Sequence, residues 1–212
     1  MDAKWRMTWR AGLMLIIVCR VPLAWGDTSG SVSEHYQKSY LAEARGDYSS
    51  ALSSMAEIRA LGHVDYVTHL RTGWLQYLSE KYDEAIKSYR AALSLESDAI
   101  EPRLGLMLSL MAARQWGEAL TLGEQVLKKA PGDFTAQSRI AFIHYQQGQY
   151  EEAESWYRRA LAGYPSNVEM RAGLGWSLLR QEKQEDARKE FERVLQVAPN
   201  HASAREGLGK RP

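Results

Sequence analysis

The chain of 212 residues carries 27 basic and 26 acidic groups and a single cysteine. Four of those basic residues and one acidic residue lie in 1–26, so the remainder has a net charge of −2, which leaves no electrostatic case for nucleic acid binding. Cys19 lies in the same stretch, so beyond it a disulfide framework, a thiol nucleophile and a cysteine metal site are all excluded.

Residues 1–26 read as an export signal. A basic start (Lys4, Arg6, Arg10) leads into an apolar run from Ala11 to Cys19, and Ala24-Trp25-Gly26 forms the exit, with the cut expected between Gly26 and Asp27. An uncleaved anchor is disfavoured, because a span needs about 20 apolar residues and Arg20 interrupts this run. A lipid attachment site at Cys19 is weaker still, since Val18 before it is not small. The expected location is periplasmic or secreted, with membrane contact only if 1–26 stay attached.

Residues 27–31 form a polar lead-in, and Ser31 with Glu34 has the spacing of a capping box that starts a helix. That helix is expected to run to about Arg45, with a turn at Gly46-Asp47 and a second helix to about Leu61. The same layout recurs with turns near Glu80-Lys81, Arg114-Gln115, Gly148-Gln149 and Glu182-Lys183. Asp98 and Asp133 are placed to cap the third and fourth units, and Ser166 with Glu169 forms a second capping box before the fifth. Glu154 with Arg158, and Glu185 with Lys189, are spaced as i,i+4 pairs on a solvated outer face.

A 34-residue period underlies this layout. Alanine recurs at 51, 85, 119, 153 and 187, and three residues earlier stand Tyr48, Tyr82, Trp116, Tyr150 and the departure Gln184. Pro131, Pro165 and Pro199 stop the second helix of their units, where His63 and Ser97 stand in the first two. The pair Leu174-Gly175 appears also as Ile140-Ala141 and Thr72-Gly73, and is lost as Lys38-Ser39.

These columns resemble the tetratricopeptide repeat family. The resemblance covers 32–201 as five uninterrupted repeats, 32–65, 66–99, 100–133, 134–167 and 168–201. It implies an all-α solenoid of helix-turn-helix repeats in a right-handed superhelix. Each repeat pairs a helix A with a helix B, and the alanine column lets helix B approach its neighbours. Residues 202–212 then supply a partial capping helix and tail. Phe191, Val194 and Leu195 are expected to be incompletely covered at that end.

Motifs for chemistry are absent. The five histidines make no metal-ligand spacing, and neither a nucleophile elbow nor a phosphate-binding glycine loop occurs. His144 is expected to be a packing histidine, and Gly173 and Gly175 to be packing glycines. The expectation is therefore a protein that is not an enzyme, with no cofactor and no metal.

Residues 5, 9 and 12 of each helix A share one face, and the resemblance places that face on the concave side. The trios are Tyr36, Tyr40, Glu43; Leu70, Trp74, Tyr77; Leu104, Leu108, Met111; Ser138, Phe142, Tyr145; and Ala172, Trp176, Leu179. The residues expected to bind a partner are Tyr36, Tyr40, Leu70, Trp74, Tyr77, Leu108, Met111, Phe142, Tyr145, Trp176 and Leu179. Family members that clamp an acidic peptide terminus do so with lysine, asparagine and arginine at these positions, and none occurs in these trios. The resemblance implies a scaffold that binds a protein or peptide, an envelope assembly or secretion factor by analogy. The alternative is a carbohydrate-binding element of an exopolysaccharide export system, with Trp74, Phe142 and Trp176 as stacking platforms.

Overall fold

A computed structural model describes the backbone of residues 28–209 and the side chains from 31 onward. The expected export signal therefore lies outside the described residues. Among the described residues there are eleven helices and no strand. They are α1 (Thr28–Ala44), α2 (Tyr48–Ala60), α3 (Tyr66–Leu78), α4 (Tyr82–Leu95), α5 (Ile100–Ala112), α6 (Trp116–Lys129), α7 (Phe134–Gln146), α8 (Tyr150–Gly163), α9 (Val168–Arg180), α10 (Gln184–Val197) and α11 (Ala202–Gly209). Each helix packs on the next in sequence. From α3 onward the odd-numbered helices also touch one another in series, α3 to α5 to α7 to α9 to α11. One face of the solenoid is thus built mainly from odd helices, and the apolar core runs along the stack instead of gathering at one centre.

The alanine column explains the close approach of the layers. Ala51, Ala85, Ala119, Ala153 and Ala187 are all at or near zero exposure. Each is the fourth residue of an even helix whose first residue is Tyr48, Tyr82, Trp116, Tyr150 or Gln184. The turn before each even helix needs one residue in the left-handed region: Gly46, Glu80, Arg114, Gly148 and Glu182, with φ of 73°, 60°, 58°, 76° and 62°. Glycine fits there without strain in two of the five repeats, whereas the other three bear the Cβ clash of that conformation.

Capping differs from the sequence expectation in several places. Residues 28–31 are already helical, so most of the 27–31 lead-in belongs to α1 and Ser31 lies inside the helix. Glu34 reaches forward to Lys38 at 2.7 Å instead of back to a cap. Asn167, not Ser166, caps α9 by accepting from the Met170 amide, and Glu169 bonds to His201 across the repeat. Asp133 caps α7 as expected, but Asp98 does not cap α5; it pairs with Lys129. Asp47 and Asp65 cap α2 and α3. The first repeat lacks the proline because Gly62, at φ 88°, ends α2 in the left-handed conformation that stops a helix.

Two expectations about surfaces are also corrected. Glu154 is not a solvated outer residue. Its side chain is largely buried and takes Arg158, Lys183 and Gln181 at 2.9–3.0 Å, tying α8 to the end of α9 and the start of α10. Glu185 pairs with Arg188, and Lys189 with Asp186, so the Glu185–Lys189 pair does not form. At the far end Phe191 and Val194 are fully covered and Leu195 is half-buried, because Ala204 and Gly207 of α11 close over them. A Cβ at Gly207 would lie 2.4 Å from the Phe191 ring, which is how closely that short helix approaches.

Candidate functional site: the concave face of the odd helices

The glycines of the odd helices set the shape of this face. Buried aromatics of the even helices press against them: Tyr89 lies between Gly73 and Gly105, Tyr157 against Gly173, and Phe191 between Gly175 and Gly207. A Cβ at Gly105 or Gly173 would fall 2.3 Å or 2.5 Å from the tyrosine ring. Gly173 and Gly175 are packing glycines, as expected. His144 is not a core residue; its Nδ1 hydrogen-bonds Gln149 at 2.6 Å across the turn into α8.

Three adjoining clefts run along the face. The first, of about 750 Å³, is lined mainly by α1, α3 and α5, with Tyr48 of α2, Tyr89 of α4 and Arg139 of α7. The second, of about 460 Å³, lies between α3, α5 and α7, and the third, of about 400 Å³, between α7, α9 and α11. Leu108 lines both the first and the second, and Phe142 both the second and the third. The middle column of the trios, Tyr40, Trp74, Leu108, Phe142 and Trp176, is therefore the floor that joins them. Tyr40, Trp74 and Phe142 are 56%, 38% and 42% exposed, although large apolar side chains are usually covered.

Nine of the eleven expected binding residues line these clefts. Tyr40, Leu70 and Trp74 belong to the first, Tyr77 and Met111 to the second, Tyr145 and Trp176 to the third, and Leu108 and Phe142 join neighbours. Tyr36 and Leu179 line none of them. Tyr36 is half-buried with its hydroxyl 3.1 Å from Thr68 Oγ1, and Leu179 packs on the core. Both indole N–H groups of the column are engaged: Trp74 donates to Glu43 at 2.6 Å and Trp176 to Ser203 at 2.7 Å. Trp176 also meets the Phe191 ring edge-on at 5.5 Å, so it is partly a packing residue. Trp74 stacks on Tyr77 at 5.8 Å, which carries the aromatic surface from the first cleft into the second.

Sequence reasoning missed two arginines. Arg71 and Arg139 stand at position 6 of their repeats, one residue past the trio position, and both line the first cleft. Arg71 is only 7% exposed. It donates from Nε to Ser39 at 3.0 Å and from Nη1 to Glu43 at 3.0 Å, and the Tyr40 ring lies over its guanidinium at 3.4 Å. The lost Lys38-Ser39 pair is explained here, since buried Ser39 is a hydrogen-bond acceptor and not a packing residue. Arg139 donates to the Leu104 carbonyl, and burial lowers its pKa from the ordinary arginine value. The 34-residue column at this position reads Arg71, Gly105, Arg139, Gly173, Gly207: glycine follows an even helix that carries Tyr89, Tyr157 or Phe191, and arginine follows Met55 or Gly123.

Comparison with known proteins agrees with this architecture. Profiles described as tetratricopeptide repeat match residues 36–100 and 132–200. Mouse tetratricopeptide repeat protein 21A is 32% identical over 131 residues, which is 61% of this chain, and the chain spans only 9% of that protein. Among solved structures, MamA from Desulfovibrio magneticus, residue 41 to its end, superposes with a TM-score of 0.73 at 19% identity, covering 81% of this chain and 97% of that one. A tetratricopeptide repeat protein from Parabacteroides merdae gives 0.73 at 23% identity, covering 84% and 71%. YrrB, described as a tetratricopeptide protein with an unusual peptide-binding site, gives 0.69 at 16%, covering 86% and 97%. Such proteins are in general non-catalytic scaffolds for protein interactions. With two profile matches that together span well over half of its length, the chain belongs to the tetratricopeptide repeat family.

Proposed function

We propose that this chain is an exported scaffold that holds a segment of another protein along its concave face, serving assembly or secretion in the cell envelope. One observation carries the binding reading: the aromatic and apolar column joins three clefts end to end and stays open along α1, α3 and α7. Exposed apolar surface of this kind commonly marks an interaction site. The peptide-binding site of YrrB, a relative in fold only, supports the same reading. The glycan reading has less support, because the indole donors of Trp74 and Trp176 are already spent on Glu43 and Ser203. Export is supported by the composition of 1–26, a basic start, a short apolar run and a small-residue exit.

Phe142 is the variant of choice, since Trp74 and Trp176 have structural partners and Phe142 sits where two clefts meet. Twelve-residue peptides selected from a random library on the intact protein should lose at least about tenfold in affinity on Phe142→Ala, or 1.4 kcal/mol. The melting temperature should hardly move. Selected peptides indifferent to both Phe142→Ala and Tyr40→Ala would sink the groove reading. N-terminal sequencing of the exported protein tests the other half, with Asp27 as the expected first residue.

A further inference from the structure

The capping position before each odd helix recurs with the repeat, and its last member differs in kind from the others. Asp65, Asp133 and Asn167 cap α3, α7 and α9 through a side-chain oxygen that accepts from the amide three residues on, while Ala99 leaves α5 without a side-chain cap. The same column continues to His201, whose Nδ1 accepts from the Ala204 amide at 3.2 Å and so caps α11. An amide only donates, so Nδ1 carries the lone pair. The ring proton then sits on Nε2, which faces the Glu169 carboxylate at 3.1 Å. The side chain of His201 is only 10% exposed.

A carboxylate or amide oxygen keeps its lone pairs as the pH falls through neutrality, whereas imidazole is the side chain that ordinarily takes up a proton there. Protonation of His201 puts a hydrogen on Nδ1, so that two donors meet where an acceptor capped the helix. Two more effects act in the same direction. The dipole of α11 opposes a positive charge at its N-terminus, and a largely buried ring cannot hydrate its charge. Glu169 acts the other way, but its side chain is 72% exposed, and an ion pair with so exposed a carboxylate contributes little. The remaining charged groups of the helices packed around the ring are engaged elsewhere. Arg171 of α9 and Arg193 of α10 both pair with Glu190, Arg205 of α11 bonds to Asn200, and Glu206 lines the third cleft. The helix itself has little reserve. Its eight residues are too few for an isolated helix in water, and it stays in place through Ala204 and Gly207 over Phe191 and through Ser203, which accepts the Trp176 indole N–H at 2.7 Å.

We infer that α11 is a pH-sensitive latch, docked while the His201 ring is neutral and released when the ring takes a proton. Release uncovers Phe191, frees the Trp176 indole donor and removes Ser203 and Glu206 from the wall of the third cleft, so acid opens the groove at this end. The inference concerns the fold itself and holds whatever occupies the groove.

Hydrogen exchange of the ¹⁵N-labelled intact protein tests it at about pH 7.5 and about pH 5.0, which span the ordinary histidine range, with each rate divided by the intrinsic rate at that pH. Protection of the Trp176 indole N–H and of the α11 amides should fall about fivefold in acid, the scale of one lost N-cap. The Trp74 indole N–H, bonded to Glu43 at the other end of the groove, should keep its protection. His201→Asn supplies the oxygen cap that Asn167 supplies to α9 and should abolish the pH dependence with α11 docked throughout. His201→Ala should be poorly protected at both values, and Glu169→Gln should enlarge the fall because the opposing carboxylate charge is gone. Constant protection in the wild type, a fall shared equally by Trp74, or the same fall in His201→Asn would overturn the latch. So would full protection in His201→Ala at either pH, or a smaller fall in Glu169→Gln than in the wild type.

Discussion

Replacing Gly105 by alanine puts a methyl group 2.3 Å from two atoms of the Tyr89 ring, a ring buried between α3 and α5. No rotamer of alanine escapes this, and the obstacle is a rigid aromatic held on its other side at 3.1 Å from where a Cβ at Gly73 would stand. Overpacking of a well-filled core costs about 1–3 kcal/mol. The helix itself gains about 1 kcal/mol from losing a glycine. Because the clash lies at the severe end, the net loss should be about 1–2 kcal/mol, a fall in melting temperature of about 2–8 °C for a chain of this size. Gly117→Ala is the matched control: it lies in the first turn of α6 with nothing within 4 Å, so the same chemistry should raise the melting temperature slightly. Thermal unfolding followed by circular dichroism measures both. A Tyr89→Leu change, harmful alone, should be less harmful on the Gly105→Ala background because it frees the space the methyl needs. Equal shifts for Gly105→Ala and Gly117→Ala, or full additivity with Tyr89→Leu, would refute the account of how the odd and even helices interlock.

Ala119→Leu and Ala153→Leu should each cost about 1–3 kcal/mol by overpacking, while Glu151→Leu on the exposed face of α8 should cost almost nothing in the same melting assay. Glu182→Gly removes a Cβ from a left-handed turn residue at φ 62° and should stabilise by up to about 1 kcal/mol, the clash relieved being partly offset by glycine's extra freedom in the unfolded chain. Asp65→Ala should cost about 1–2 kcal/mol, because its carboxylate caps α3 at the Thr68 amide, whereas Asp98→Ala removes no cap and should be nearly neutral. Burial opposes ionisation of Glu154, but hydrogen bonds from Lys183, Arg158 and Gln181 outweigh it and hold its pKa below the ordinary 4.5. A depressed folded-state pKa contributes stability above the unfolded value and loses it as the pH falls through the folded value, so the wild-type advantage over Glu154→Gln should shrink on acidification below about 4.5 in acid titrations of stability.

The period of 34 residues was enough to place every pair of helices from the first repeat to the fifth, because it rests on local chemistry. Alanine where helices meet, a turn residue five positions before each of those alanines, and a helix stop after each helix B all act within a few residues of themselves. The middle column of the groove was legible for the same reason, since helical geometry puts residues 5, 9 and 12 on one face whatever they touch. Caps were less legible. Ser166 yields the cap to its neighbour Asn167, Asp98 is drawn to Lys129 of α6 and leaves α5 without a side-chain cap, and Ser31 lies inside α1; which polar residue closes a helix depends on where the surrounding chain places it. The arginines of the first cleft depended wholly on tertiary structure. Position 6 takes glycine where the preceding even helix presents Tyr89, Tyr157 or Phe191, and it admits arginine after Met55 or Gly123. That exclusion operates across the contact between one repeat and the next, so no pattern within a single helix carries it. The sequence by itself determined the solenoid and the axis of its groove; packing between repeats decided that two guanidinium groups line the first cleft of that groove.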